Sequence, residues 1–89
     1  MAHMIIRHKV ADFGKWKAAY DDHSSTRQAS GLRDLYLWRN ADDQNEVVVL
    51  FEASDLTKAR DFASSPDLRE KMQAAGVLGV PDIVFLSNG

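Results

Sequence analysis

The chain has 89 residues, 45% of them hydrophobic and 27% charged, with a formal net charge of −2 and no cysteine. That length holds one core and not two. The charge balance offers no basic face for nucleic acid or reason to invoke a membrane surface, and the missing thiols exclude disulfides, thiolate metal centres and a cysteine nucleophile. The longest apolar run, "VVVLF" at 47–51, is far short of a membrane span. The start lacks the layout of a secretory signal, so a cytoplasmic protein is expected. The opening "MAHM" reads as a tag remnant or disordered start over residues 1–3, which puts the domain at 4–89 and leaves His3 without a role.

"MIIRHKV" (4–10) is short and β-branched, and predicts a strand. Asp12 is a natural N-cap for the helix that follows. At about 100° per residue, Trp16, Tyr20, His23, Ser24 and Arg27 fall on the side of Phe13, while Ala18, Asp22, Ser25 and Ala29 fall opposite. One amphipathic helix is expected, closed by Gly31 in a left-handed conformation. "LRDLYLWRN" (32–40) and "EVVVLFEA" (46–53) alternate as strands around the polar turn "ADDQN", an antiparallel hairpin. Ser54 or Asp55 then caps a helix with Ala59, Phe62 and Ala63 on one face. Ser65 followed by Pro66 restarts a second piece carrying Leu68, Met72 and Ala75. Gly76 ends it, "GVP" is expected as a loop, and "DIVFLS" (82–87) is the last strand.

The order β-α-β-β-α-β predicts an α+β, ferredoxin-like fold, a four-stranded antiparallel sheet with its helices on one face. The other face should be polar in a monomer. Yet Val47, Val49 and Phe51 oppose Val48 and Leu50, Leu35 and Leu37 oppose Tyr36 and Trp38, and Ile83 and Phe85 oppose Val84 and Leu86. Both faces are apolar, and a homodimer packed sheet on sheet is the expected remedy.

The stretches "VADFGKWKAAYDDHSSTR", "WRNADDQNEVVVLFE" and "DLTKARDFASSPDLREKMQAAGV" resemble the dimeric α/β-barrel superfamily. Within it, the chain is similar from His8 to Leu86 to small bacterial proteins loosely called cyclases, relatives of the antibiotic-biosynthesis monooxygenases. Trp16, Tyr20, His23 and Arg27 carry the likeness to that subgroup. The resemblance implies a sheet-paired dimer. It also implies a cleft for a small aromatic or polyketide-like molecule, and oxygenation of a deprotonated phenol without metal, flavin or other cofactor. Carried onto this chain, His23 would be the base and Arg27 the group that steadies the phenolate. Haem degradation, also found in the superfamily, relies on a histidine in the second helix, which is missing here.

By alternation His8 shares a side of its strand with Ile6 and Val10. If that side faces the helices, His8, Trp16, Tyr20, Phe62 and Met72 line a ligand pocket with His23 and Arg27. His8 and His23 alone, without a placed carboxylate or an HxxxH spacing, do not define a metal site. The plainer alternative makes His23 a packed residue bonded to a carbonyl or an aspartate, and Arg27 a partner of the helix C-terminus and nearby carboxylates. Three functions follow: a monooxygenase- or cyclase-like enzyme, a non-catalytic small-molecule-binding dimer, and a protein-interaction module.

Overall fold

The computed structural model describes residues 2–88, and Met1 and Gly89, the last residue of the expected domain, lie outside them. The elements run β1 (Ala2–Val10), α1 (Phe13–Asp22), α2 (Ser24–Ala29), β2 (Leu32–Asn40), β3 (Asp43–Ala53), α3 (Leu56–Ala63), α4 (Pro66–Ala74) and β4 (Val77–Leu86). The four strands form one antiparallel sheet in the order β2-β3-β1-β4. This is the expected ferredoxin-like arrangement, with each helical crossover made of two short helices.

Three caps fix where the helices start. The carboxylate of Asp12 accepts from the Lys15 N–H at 3.2 Å, Asp55 from Thr57 and Lys58 at 2.8 and 3.3 Å, and Ser65 from Leu68 at 3.1 Å. Each satisfies N–H groups that have no partner inside the first turn. Gly31 sits at φ 77°, the left-handed turn that leads α2 into β2.

Four boundaries differ from expectation, the first being β3, which begins at Asp43 inside the expected turn "ADDQN" and leaves only Ala41 and Asp42 to turn the hairpin. The single helix predicted after Asp12 breaks at His23, whose backbone (φ −92°, ψ 7°) caps α1 and opens α2. The break falls in "DDHSS", where aspartates and serines compete with the helix for backbone hydrogen bonds. The "GVP" segment is a bulge inside β4 and not a loop. Arg7 pairs with Asp82 and Lys9 with Leu78, so β4 fits its extra residues opposite His8, with Gly79 at φ 72°. At the front, Ala2 and His3 pair with Ala53 and Glu52, so β1 begins before Met4.

The core lies between the helices and one sheet face. Met4, Ile6, Val10, Val47, Val49 and Phe51 rise from the sheet to meet Trp16, Ala59, Phe62 and Leu68. Strand alternation sends the neighbours of these residues to the opposite face. There Leu50 pairs with Ile5 and Tyr36, Val48 with Trp38, and Val84 with Ile5. Among the described residues no element covers this face. Tyr36 is 60% exposed, Trp38 47% and Val84 44%, and the Tyr36 and Trp38 rings stack at 5.1 Å. Among the described residues, no helix is long and apolar enough to cross a membrane.

Candidate functional site

A cavity of about 270 Å³ opens between the sheet and the helices. β1 supplies Ile6 and His8 to its wall, β3 supplies Val49 and Phe51, and α1 supplies Trp16, Ala19 and Tyr20. Phe62 of α3 and Leu68, Met72 and Ala75 from α4 and its end close the far side, with Lys71 and Asp22 also on the border. His8, Trp16, Tyr20, His23, Arg27, Phe62 and Met72, the seven residues singled out in the sequence, all border this one cavity. Helical periodicity and strand alternation found them because each aims its set of side chains at the same interior.

The two histidines differ in setting. His8 is 6% exposed and packs edge-on against Trp16, ring centroids 5.3 Å apart at 65°. Neither of its ring nitrogens has a hydrogen-bond partner among the described residues. Burial lowers its pKa from 6.5 to about 4, because the imidazolium would lose its hydration with no anion in exchange. His23 stands at the α1–α2 break beside Phe62 at 6.2 Å. Its Nε2 is buried without a hydrogen bond and lies 3.6 Å from an Asp67 carboxylate oxygen.

Arg27 is buried and its donors are committed. Nε and Nη2 donate to the two carboxylate oxygens of Asp34 at 3.2 and 3.1 Å, and Nη1 donates to the Tyr20 carbonyl at 2.7 Å. The guanidinium carbon lies over the Tyr20 ring, 3.7 Å from its centroid, and that ring stacks on Trp16 at 5.0 Å. Burial pushes the Tyr20 phenol well above its ordinary pKa, against the nearby Arg27 charge and with the Asp34 charge adding to the rise. Tyr20 therefore stays protonated and neutral. Periodicity could not find Asp34, Asp67 or Lys71. Asp34 opens a strand, and Asp67 and Lys71 sit in a distant helix whose polar positions look ordinary in sequence. Among the described residues no cluster of ligating side chains suits a metal ion.

The acid limb of stability should carry the mark of His8. The unfolded chain takes up this proton below pH 6.5, whereas the folded chain refuses it until about pH 4. The contribution is therefore complete above pH 6.5 and is lost as the pH falls toward 4. By pH 4.5 the loss reaches about 2–3 kcal/mol. Urea midpoints of wild type and His8→Leu at pH 7.5 and 4.5 check this, because the variant should lose less stability on acidification.

The sequence matches no protein-family model and no curated protein, so the likeness is one of structure. A candidate antibiotic-biosynthesis monooxygenase of Bordetella bronchiseptica superposes with a TM-score of 0.77 at 13% identity, covering 99% of this chain and 96% of that one. A cofactor-independent oxygenase from Streptomyces nogalater gives 0.73 at 15%, covering 98% and 91%. This chain has the antibiotic-biosynthesis monooxygenase fold. An uncharacterised NIPSNAP domain protein of Burkholderia xenovorans gives 0.67 at 15%, covering 100% and 95%. The monooxygenase fold is thus shared by chains of different description, and an activity has to be argued from the cavity.

Proposed function

We propose that the protein is a cytoplasmic homodimer, paired through its bare sheet faces, and a cofactor-independent oxygenase of small phenol-like or polyketide-like aromatics. The observation that carries the catalytic reading is the cavity itself, an apolar slot flanked by Trp16 and Phe62 and bordered by two imidazoles, His8 with both ring nitrogens and His23 with its Nε2 outside any hydrogen bond among the described residues. The dimer is supported by Tyr36, Trp38, Val84 and Leu86, exposed side by side with half-buried Ile5, Val48 and Leu50. Burying each such side chain is worth about 1.5–3 kcal/mol. The lack of cysteine fits a reducing compartment.

In this reading the flat substrate lies against Trp16 and Phe62, and His23 takes its phenolic proton. Asp67, 3.6 Å away, steadies the imidazolium that forms. The phenolate supplies the electrons that dioxygen needs. A carbon–oxygen bond forms at the ring, the oxygen–oxygen bond breaks, and one phenol and one dioxygen leave as one quinone and one water. Arg27 serves here as a positioning residue that holds the Tyr20 ring, since its guanidinium is already paired with Asp34. That same pairing favours a second reading, a binding module without turnover, because it removes the buried cation from the phenolate.

Oxygen uptake with 1,8-dihydroxyanthrone separates the two. Turnover is expected above the spontaneous rate, with His23→Ala lowering kcat about 100-fold or more while the melting temperature stays close to wild type. Tight binding without uptake would assign the binding module. A large loss of melting temperature with unchanged affinity would make His23 a packed core residue.

A further inference from the structure

His8 is the one polar side chain that the sheet contributes to the cavity wall, between Ile6 on its own strand and Val49 and Phe51 on β3. An imidazole this deep normally bonds a carbonyl, a carboxylate or a water, because a stranded donor or acceptor is destabilising. Here neither nitrogen bonds a carbonyl or a carboxylate of the described residues. The β4 bulge lies directly opposite, so the backbone at this level is already irregular. A core position of this kind would be filled better by leucine.

Resting on the cavity as the ligand site, we propose that His8 is its specificity-determining residue. It selects a flat ligand that brings an uncharged hydroxyl or carbonyl to the sheet-side wall and turns away one that brings a carboxylate there. The neutral ring carries one N–H and one bare nitrogen, and its tautomer adapts to a group that donates or one that accepts. Both nitrogens are buried in the ligand-free protein, and a turn about Cβ–Cγ, a soft torsion, is what would bring one of them to a ligand. A carboxylate finds no equivalent. The buried cation, Arg27, is spent on Asp34 and the Tyr20 carbonyl, and Lys71 is an exposed residue of α4. To answer as an imidazolium, His8 has first to be protonated against a pKa lowered to about 4. Charged substituents of a ligand are therefore left to the border of the cavity, where Asp22 and Lys71 are exposed.

The test is equilibrium dialysis of 2-naphthol, naphthalene and 2-naphthoate against the intact protein at pH 7.5, for wild type, His8→Leu and His8→Gln. Wild type should hold 2-naphthol and reject 2-naphthoate by at least about tenfold. His8→Leu should move the naphthol-to-naphthalene affinity ratio about tenfold toward naphthalene, the loss of one buried hydrogen bond, while melting at or above the wild-type temperature. His8→Gln, which keeps a neutral donor and acceptor, should restore part of the ratio. Should His8→Leu fail to fold, His8→Met carries the same comparison. An unchanged ratio in the apolar variant, with all three proteins still binding naphthalene, overturns the role of His8 and leaves the cavity standing. Wild type that binds none of the three removes the cavity reading itself, and the role of His8 with it.

Discussion

Leu50→Asp is expected to leave the protein as single chains. Leu50 lies on β3, an inner strand, and pairs with Ile5 on one side and Tyr36 on the other. Its side chain points away from the helices, into the middle of the apolar face. In a two-fold pairing of sheets a carboxylate here is taken out of water on both copies at once. Each buried, unpaired charge costs several kcal/mol, and symmetry doubles it. In the separated chain the same aspartate meets solvent, so the fold should survive the substitution. Sedimentation equilibrium at micromolar concentration reads the outcome directly. The mass of two chains should give way to the mass of one, and the Trp38 emission should shift to the red as its ring loses cover. Wild type sedimenting as one chain would overturn the dimer.

Replacing Arg27 by Met should lower stability by about 2–4 kcal/mol, read as a fall in the urea midpoint. The variant loses the two-pronged pair with Asp34, the bond to the Tyr20 carbonyl and the cation contact with the Tyr20 ring together. The Asp34 side chain is 44% exposed and can rehydrate, which keeps the loss below that of breaking a fully buried pair. Lysine should rescue little, because an ammonium has no planar fork to serve Asp34 and the Tyr20 carbonyl together and no flat face to lay on a ring. If Arg27→Met were as stable as wild type but lost affinity for the phenolate form of a ligand, Arg27 would belong to the reacting groups after all.

Much of this architecture is written locally. Asp12, Asp55 and Ser65 announce helix starts through side chains that reach only a few residues ahead, and Gly31 announces an end through its own φ. Alternation in "EVVVLF" sorts Val47, Val49 and Phe51 from Val48 and Leu50 because a strand has two faces whatever it packs on. The helical stripe that brings Trp16, Tyr20, His23 and Arg27 to one cavity is local in the same sense. The sites of helix interruption are less local. The "GVP" segment joins β4 because β1 offers its edge to it, while the break at His23 interrupts a helical stripe that runs on across it from Trp16 to Arg27.

By itself the sequence determined the order of elements, the two apolar faces of the sheet and the set of side chains facing inward, since these follow from periods of about two and 3.6 residues. Only the tertiary structure decided what those side chains do to one another. It gave Arg27 to Asp34, set Asp67 beside His23, and left His8 buried with neither nitrogen bonded among the described residues. These are meetings between segments far apart along the chain or across a turn. They depend on where whole helices come to rest on the sheet, which the packing of the entire core fixes and no short pattern of residues encodes.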